Sequence, residues 1–388
     1  MIFVIAVSLL VIGTVLVFVR PVGVPLWVGP SVAAVVGLAS GTVAWSAARE
    51  NLELLRAPLA FVALAVPLAV LLDRIGVFTA LAAFVDGGRH LAAYLWVLAA
   101  TVTIVFNLDA AVVLLTPLYI RVAVRHGYPP ETLAFQPAML ACLASNPLPV
   151  SNLTNLIAAE HFDLHAGDFV AHLALPTLAA CAVGWLAFRT TFPLEPHAPG
   201  IDEPVDTRAL RRGLPIVGSV LVGFTVGDAI GIEAWMVAAV AVVWAALLVR
   251  EIPWRAVPYE AVFVAASLAV LVAGAVGHLG LEHLLHGSGI AGRARAFAFG
   301  AVGSNASNNL PALLAALPSV DRGQVWALLI GANVGPSLVL TGALSGLLWR
   351  DTARRLDVEV SARRYSTVGL RVGLPALLAA GTAVILVG

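Results

Sequence analysis

Most of this chain consists of apolar runs long enough to cross a lipid bilayer as helices, which takes about 20 residues each. The runs lie at about residues 2–19, 24–46, 57–73, 132–160, 168–188, 213–230, 233–249, 257–277, 324–349 and 366–386. Hydrophobic residues make up 60% of the chain and charged residues only 11%, far from the composition of soluble domains. The sequence therefore predicts an all-α polytopic membrane protein with about ten transmembrane helices.

The first apolar run, the net charge and the cysteines each argue against another class of protein. The run at 2–19 has no basic segment before it and no cleavage pattern after it, so we predict a retained helix and not a signal peptide. The net charge is +0, and composition points to no nucleic-acid partner. Cys142 and Cys181 both lie in apolar runs and give neither a disulfide framework nor a metal spacing. We predict no cofactor and no metal site.

Two apolar regions do not fit a simple crossing. Residues 91–123 and 289–318 are interrupted in the middle by polar residues, such as the run GSNASNN that begins at Gly303. Each region is too short for two full crossings at about 1.5 Å per residue, and a single crossing would bury the polar cluster in lipid. A re-entrant helical hairpin accounts for both facts, because non-helical backbone at membrane depth is tolerated where protein or a wet cavity surrounds it.

The two halves of the sequence resemble each other. LAVLLDRIG (68–76) has a counterpart in LAVLVAGAVG (268–277), and Asn107 and Asn308 each precede a proline by ten positions. Each hairpin is followed by a long run with a polar interruption. We predict two repeats of five crossings each, which makes them inverted. The predicted units are a first repeat 1–189 (hairpin 91–123, broken helix 132–160), a linker 190–212, and a second repeat 213–388 (hairpin 289–318, broken helix 324–349).

Arginine placement predicts the orientation. When the linker 190–212 is cytoplasmic, most arginines near the span ends are also cytoplasmic, as the positive-inside rule requires. The first hairpin then opens from the cytoplasm and the second from the exterior.

Four motifs, in order, resemble the bacterial arsenite and antimonite efflux permeases of the ion transporter superfamily, which also holds sodium-coupled dicarboxylate carriers and sodium/proton antiporters. They are FNLDAAVVLLTP (106–117), LPVSNLTNLIAAEHF (148–162), GSNASNNLPALL (303–314) and GANVGPSLVLTGALSGLLW (331–349). The dicarboxylate carriers usually show Ser-Asn-Thr at both hairpin tips, whereas the tips here differ, which favours the arsenite branch. The resemblance implies an elevator-like motion of hairpins and broken helices. It also implies that some relatives work with a soluble ATPase subunit.

The polar clusters of the hairpins and breaks are the predicted substrate site. A polar group buried in hydrocarbon without a partner costs several kcal/mol, so such clusters persist where partners or a ligand satisfy them. The predicted substrate-binding residues are Asn107, Asp109, Ser151, Asn152, Thr154, Asn155, Ser304, Asn305, Asn308, Asn309, Asn333, Ser337 and Thr341. Amides, hydroxyls and one carboxyl suit a small neutral polyhydroxy species, and helix ends in the same place would also hold a small anion. The alternative for each residue is a structural hydrogen bond between helices.

Asp109 is the predicted proton-coupling residue. It stands among uncharged residues from Leu91 to Ile120, and an ionisable residue inside a membrane is by default a functional candidate. Low dielectric disfavours its charged form, so it is suited to take up and release a proton.

Two histidine patterns give the rival class, an intramembrane metalloenzyme. HFDLH (161–165) and HLGLEHLLH (278–286) place histidines near acids, but neither is the HExxH motif. Both lie at span ends, where amphipathic segments are normal. A passive channel is the other rival, and paired hairpins argue against it because they imply a closed site between two gates.

The sequence therefore predicts a secondary transporter and not an enzyme, in a bacterial plasma (inner) membrane, that expels arsenite or antimonite in exchange for protons. The alternative is a sodium- or proton-coupled transporter of small anions such as dicarboxylate or sulfate, or a sodium/proton antiporter. The predicted partners are a small inorganic solute, protons or sodium, and membrane lipid, with a soluble ATPase subunit and a homodimer left open.

Overall fold

The computed structural model describes residues 2–18, 24–83, 90–192, 204–227 and 230–387, and within these ranges all regular structure is helical. The helices of the first half are α1 (Ile2–Phe18), α2 (Val28–Ala39), α3 (Trp45–Ile75), α4 (Val77–Ala82), α5 (Leu91–Phe106), α6 (Leu108–Arg125), α7 (Pro130–Leu143), α8 (Leu153–Phe162) and α9 (Ala166–Thr191). Those of the second half are α10 (Thr207–Val226), α11 (Ala234–Val249), α12 (Tyr259–Ala275), α13 (Leu281–Leu285), α14 (Gly289–Ser307), α15 (Asn309–Ala316), α16 (Val325–Val334), α17 (Leu344–Arg354), α18 (Ala362–Val368) and α19 (Leu374–Val387). Of the predicted linker 190–212, residues 193–203 lie outside the described residues, and α10 already begins at Thr207.

Several helices are long and apolar enough to cross a membrane. In the described part of the chain, five meet both conditions: Trp45–Ile75, Ala166–Thr191, Thr207–Val226, Tyr259–His278 and Ala362–Val387. Shorter apolar helices are Val4–Val17, Val28–Ala39, Leu91–Phe106, Ala234–Val249 and Val325–Leu338. The predicted all-α polytopic class is confirmed.

The second and third predicted spans, 24–46 and 57–73, differ from the structure in their boundaries. The run at 24–46 contains only a 12-residue helix, α2, whereas the run at 57–73 belongs to the 31-residue helix α3. Residues 45–56 extend α3 before its apolar part, because this segment is rich in Ala, Glu, Leu and Arg, which are strong helix formers. Gly41, with φ +70°, makes the turn between the two helices.

The helices form two packing groups. The frame helices, α1–α4 and α10–α12, pack mainly on one another, with α3 against α11 and α12. The core helices, α5–α9 and α14–α19, do the same, with α14 against α16 and α9 against α19. The two groups meet where α3 and α12 contact α6, α8 and α15. The predicted hairpins and broken helices all belong to the core helices.

Polar contacts tie elements together at both ends of the molecule. At one end Arg74 pairs with Glu251, and Arg364 pairs with Glu131 at 2.5 Å. At the other end Gln324 donates to the carbonyls of Leu285 and Gly287, both at 2.9 Å. These contacts join elements that are far apart in sequence.

Candidate functional site

Two asparagines mark the points where the predicted hairpins turn. Helices α5 and α6 meet at Asn107, with φ 119° and ψ 151°, and helices α14 and α15 meet at Asn308, with φ 116° and ψ 153°. This backbone region is essentially reserved for glycine, and a residue held there stores on the order of 1–3 kcal/mol of strain. The two tips therefore share one unusual conformation.

Each tip asparagine caps the helix that follows it. The Asn107 Oδ1 accepts from the Asp109 backbone N–H at 2.8 Å, and the Asn308 Oδ1 accepts from the Leu310 backbone N–H at 3.2 Å. A helix N-cap of this kind satisfies one of the free N–H groups of the first turn. The Nδ2 atoms of both asparagines are buried, and no group in the structure accepts a hydrogen bond from them.

The two broken helices are interrupted beside the tips, around one shared cavity. Between α7 and α8 the chain makes a short 3-10 turn at Pro149–Ser151, and Asn152 then caps α8 by accepting from the Thr154 N–H at 3.2 Å. Between α16 and α17 the 3-10 turn is Gly335–Leu338. The Asn309 backbone N–H donates to the Gly342 carbonyl at 2.9 Å, which ties the second tip to the second break.

A cavity of about 50 Å³ lies where the N-termini of four helices converge. Its lining includes the first two residues of each helix, namely Leu108 and Asp109 of α6, Leu153 and Thr154 of α8, Asn309 and Leu310 of α15, and Leu344 and Ser345 of α17. Three residues that directly precede these helices, Asn152, Asn308 and Ala343, also line it. Frame helices α3 and α12 close it with apolar side chains, for example Val62 and Leu268.

The cavity offers hydrogen-bonding atoms that have no partner in the protein. The Oδ1 of Asp109, the Nδ2 of Asn308 and the Oγ of Ser345 are all buried and unpaired, whereas nearly all buried polar atoms in proteins are paired. Asp109 is the single ionisable residue of the lining. Four helix N-termini give the cavity a positive partial charge without any side-chain cation.

Comparison with known proteins identifies the family. The model of the citrate transporter family (CitMHS) matches residues 1–335. The chain belongs to this family. This CitMHS chain is accordingly an integral membrane transporter. It is 28% identical to the arsenical pump membrane protein of Yersinia enterocolitica and 27% identical to that of Escherichia coli, each match covering 95% of both chains. The resemblance drawn from the motifs is thus confirmed.

A solved structure shares the fold. The YdaH transporter of Alcanivorax borkumensis superposes on this CitMHS chain with a TM-score of 0.58 and 16% sequence identity, covering 85% of this chain and 84% of that one. At this identity the likeness concerns the fold alone, and it supports the helical membrane architecture.

The structure brings five of the predicted site residues of the CitMHS chain to the cavity. They are Asp109, Asn152, Thr154, Asn308 and Asn309. Asn107 sits at the first tip just behind Leu108 and Asp109, and its own side chain is not part of the lining. The remaining predicted residues lie in the walls of the two tips and breaks.

Three residues join the two broken helices, and one of them, Thr154, also lines the cavity. The Asn333 Nδ2 donates to the Asn155 Oδ1 at 2.7 Å, and the Thr154 hydroxyl donates to the Asn333 Oδ1 at 2.6 Å. The Asn155 Nδ2 lies 3.0–3.2 Å from three carbonyls of the first break and from the Ser151 hydroxyl. We call Thr154, Asn155 and Asn333 the clamp, since they link the two breaks.

The other predicted residues mostly bond to nearby backbone. Ser151 donates to the Leu148 carbonyl at 2.7 Å and Ser304 to the Ala301 carbonyl at 3.1 Å. Asn305 donates to the Ala301 and Gly335 carbonyls at 2.7 and 2.9 Å, so it holds α14 against the second break. The Ser337 hydroxyl is buried without a partner, and Thr341 is partly buried in the second break.

Ser345 is the site residue that sequence reasoning missed. It lies in a stretch, GALSG, whose single hydroxyl does not stand out as a polar cluster. Yet it is the second residue of α17, as Thr154 is the second residue of α8. When the two breaks are aligned by the first residues of α8 and α17, Asn152-Leu153-Thr154 pairs with Ala343-Leu344-Ser345. This alignment identifies Ser345.

The histidine motifs do not form a metal centre in the described part of the CitMHS chain. No group of three or more His, Cys, Asp or Glu side chains there is arranged to hold a metal ion. His161 lies in the last turn of α8 and His165 directly precedes α9, so both histidines lie at helix ends.

Proposed function

We propose that this CitMHS family transporter exports trivalent arsenic or antimony from the cytoplasm as the neutral hydroxide, in exchange for protons. The observation that carries the proposal is the cavity at the four helix N-termini, with its unpaired amide donor, unpaired hydroxyl and single carboxyl. The curated relatives named arsenical pump membrane proteins match over nearly the whole chain. We assign to this chain the class of solute that the names of these relatives state.

The size of the cavity favours a very small solute. One water needs roughly 10–15 Å³ of such space, so about 50 Å³ holds a few heavy atoms. Arsenious acid is one arsenic atom with its hydroxyls and matches this size. Citrate, a tricarboxylate, does not fit the cavity in this conformation.

The chemistry of the lining also favours a polyhydroxy solute. Hydroxyls of arsenious acid both donate and accept hydrogen bonds, and the lining offers an acceptor at Asp109, a donor at Asn308 and a hydroxyl at Ser345. A tricarboxylate usually requires arginine or lysine for charge pairing, and no residue of that kind lines the cavity. The hydroxyls of arsenious acid would therefore satisfy the unpaired atoms, and no arginine or lysine would be needed.

Asp109 supplies the coupling step in this proposal. In its ionised form the carboxylate accepts hydrogen bonds from the hydroxyls of the solute, aided by the N-terminus of α6. Protonation removes that acceptor and weakens binding. Solute binds from the cytoplasm and is released when Asp109 takes up a proton on the outer side. The protonated site then returns to the cytoplasmic side, where Asp109 releases the proton. One proton and one solute thus compete for the same group.

The position of the cavity fits alternating access by the movement of one group of helices against the other. The solute-binding residues belong to the core helices, whereas Val62 and Leu268 belong to the frame helices. Sliding of the core helices would carry the cavity past an apolar wall. Two inverted repeats, 1–189 and 213–388, remain our proposal for the origin of this arrangement, and the shared tip conformation at Asn107 and Asn308 supports it.

A second candidate is a proton- or sodium-coupled transporter of a small anion. The name of the family model and the four converging helix N-termini favour this candidate. In that case the protonated form of Asp109 would accompany the anion, and transport would be symport instead of exchange.

Transport by the purified protein in proteoliposomes separates the two candidates. We expect arsenite uptake that is driven by an acid interior, does not require sodium and is not inhibited by citrate or sulfate. Expression in an arsenite-sensitive, efflux-deficient bacterium should restore growth on arsenite. Citrate or sulfate uptake without arsenite uptake would overturn the proposal in favour of the anion transporter.

A further inference from the structure

An arginine lies exposed within the last membrane span. Between Val368 and Val387, Arg371 is the single charged residue, and its side chain is exposed. It follows the start of α18 at Ala362 by nine residues, or about 13 Å at 1.5 Å per residue. A charge at this depth is costly unless it finds a counter-ion or reaches the headgroup region. Arg371 therefore needs an explanation that the transport site does not provide.

Two more exposed arginines lie on the same pair of neighbouring helices, α9 and the last span. Arg363 lies in the first turn of α18, and Arg189 lies in the last turn of α9. Two contacts fix how these helices run alongside each other. A Cβ on Gly184 would lie 3.7 Å from Ala376, and the Arg364 guanidinium lies 5.5 Å from the centre of the Phe192 ring. Arg189 falls between these contacts, beside the segment from Thr367 to Arg371.

The local helix geometry keeps the arginines of the last span near one face. Arg363, Thr367 and Arg371 are spaced by four residues, and an α-helix would rotate the last of them by about 80° from the first. The segment Gly369–Gly373 is a π-helix. A π-helix has more residues per turn than an α-helix, so each residue rotates less and Arg371 lies closer to the face of Arg363. A π turn inside a span is often found at a functional site.

The three guanidinium groups have no carboxylate partner within the described ranges. No ion pair there involves Arg189, Arg363 or Arg371, and the nearby carboxylate of Glu131 is already bonded to Arg364 at 2.5 Å. Arginine is the residue best suited to a phosphate, because its planar donors match the phosphate oxygens. Basic surfaces between transmembrane helices typically bind anionic lipid headgroups.

We propose that Arg189, Arg363 and Arg371 form a binding site for the phosphate of an anionic phospholipid, which we call the lipid site. Its acyl chains would lie along the apolar exposed surface of α9 and α19. The opposite side of the same π-helix touches the second break, because Gly369 and Gly373 leave no room for a Cβ against Ser337. A lipid held by Arg371 would thus brace the wall behind the transport cavity.

Lipid binding to the purified full-length protein tests the lipid site. Native mass spectrometry of delipidated protein titrated with phosphatidylglycerol or phosphatidylcholine should show preferential binding of phosphatidylglycerol. Arg371→Gln and Arg189→Gln should each lower the phosphatidylglycerol affinity about fivefold, as expected for one basic residue at a membrane surface. The matched control is Arg355→Gln, an exposed arginine at the end of α17, which should bind phosphatidylglycerol as the parent does.

Two further measurements keep the result interpretable. The melting temperature without added lipid should be the same for the parent and the variants, since all three side chains are exposed. Excess inorganic phosphate should not displace phosphatidylglycerol, because acyl chains contribute to binding. Equal affinity of the variants for phosphatidylglycerol would overturn the proposal. Full displacement by inorganic phosphate would also overturn it, since the ligand would then be the free anion.

Discussion

Asparagine has two different roles in this molecule, decided by which of its amide atoms have partners. In Asn155 and Asn333 the oxygen and the nitrogen are both hydrogen-bonded, and these residues hold the two breaks together. In Asn107 and Asn308 the oxygen caps a helix and the nitrogen has no partner. Of this tip pair, Asn308 faces the cavity. The second role is the one that suits a ligand.

We predict that Asn308→Gly abolishes most transport without unfolding the protein. Glycine adopts the backbone conformation at φ 116° freely, and glycine in place of asparagine at an N-cap costs only a few tenths of a kcal/mol. The variant therefore removes mainly the amide donor. Loss of one such hydrogen bond corresponds to about 1–3 kcal/mol, or roughly fivefold to 150-fold in the rate of arsenite uptake.

Asn107→Gly is the matched control for that variant. Like Asn308→Gly, it places glycine at a hairpin tip with positive φ and removes a side-chain N-cap. The Asn107 side chain, however, does not line the cavity. We expect a much smaller effect on uptake. Equal losses in both variants would mean that tip rigidity, and not the amide donor, matters for transport.

The sequence locates the polar clusters but not the atoms that face the ligand. Asn305 and Asn308 look equivalent in the run GSNASNN, yet Asn305 bonds to the backbone of the second break and Asn308 faces the cavity. The direction of a side chain at a helix break depends on backbone angles that no periodicity encodes. Ser345 shows the converse, since a single hydroxyl in an apolar run carries no compositional signal.

At the scale of elements, the clamp connects the two broken helices. We predict that Asn333→Ala lowers the melting temperature in detergent, because it leaves the Thr154 hydroxyl and the Asn155 Oδ1 without partners, at about 1–3 kcal/mol for each buried unpaired group. A double-mutant cycle with Asn155→Ala should show coupling of about 0.5–3 kcal/mol. Strictly additive effects would show that the two asparagines stabilise the protein independently.

Close glycine packing holds the second hairpin to the second broken helix. A Cβ on Gly300 would lie 2.5 Å from the Leu328 carbonyl oxygen and 2.8 Å from the Ala332 nitrogen. We predict that Gly300→Ala destabilises the protein by about 1–3 kcal/mol, the usual range for overpacking, as measured by thermal unfolding. Gly218→Ala is the control, since a Cβ there meets nothing within 4 Å. Equal melting temperatures for the two variants would contradict the close approach of α14 and α16.

The long apolar runs and the polar interruptions within them are visible in the sequence, so a helix break within each of 91–123 and 289–318 can be predicted from the pattern of polar and apolar residues. The start of α3 at Trp45 cannot, because residues 45–56 are polar enough to resemble a loop and become helical through their propensity. The division into frame and core helices also depends on contacts between helices distant in sequence.

The proposed orientation of the whole molecule predicts the side of the membrane on which each loop lies. In a background without Cys142 and Cys181, Ser288→Cys should react with an impermeant thiol reagent from outside intact cells, because this exposed residue precedes the second hairpin. Glu359→Cys, exposed between α17 and α18, should react only after the cells are opened. The same accessibility for both positions would contradict the inverted repeats.

The proposed exchange of a proton for solute at Asp109 is tested by Asp109→Asn. Asparagine keeps the size of the side chain but cannot ionise. In everted membrane vesicles with an acid interior, the parent should accumulate arsenite against its gradient. The variant should show no accumulation with or without the pH gradient, although it keeps the amide and hydroxyl groups that contact solute. Accumulation by Asp109→Asn that responds to the pH gradient as the parent does would contradict the account.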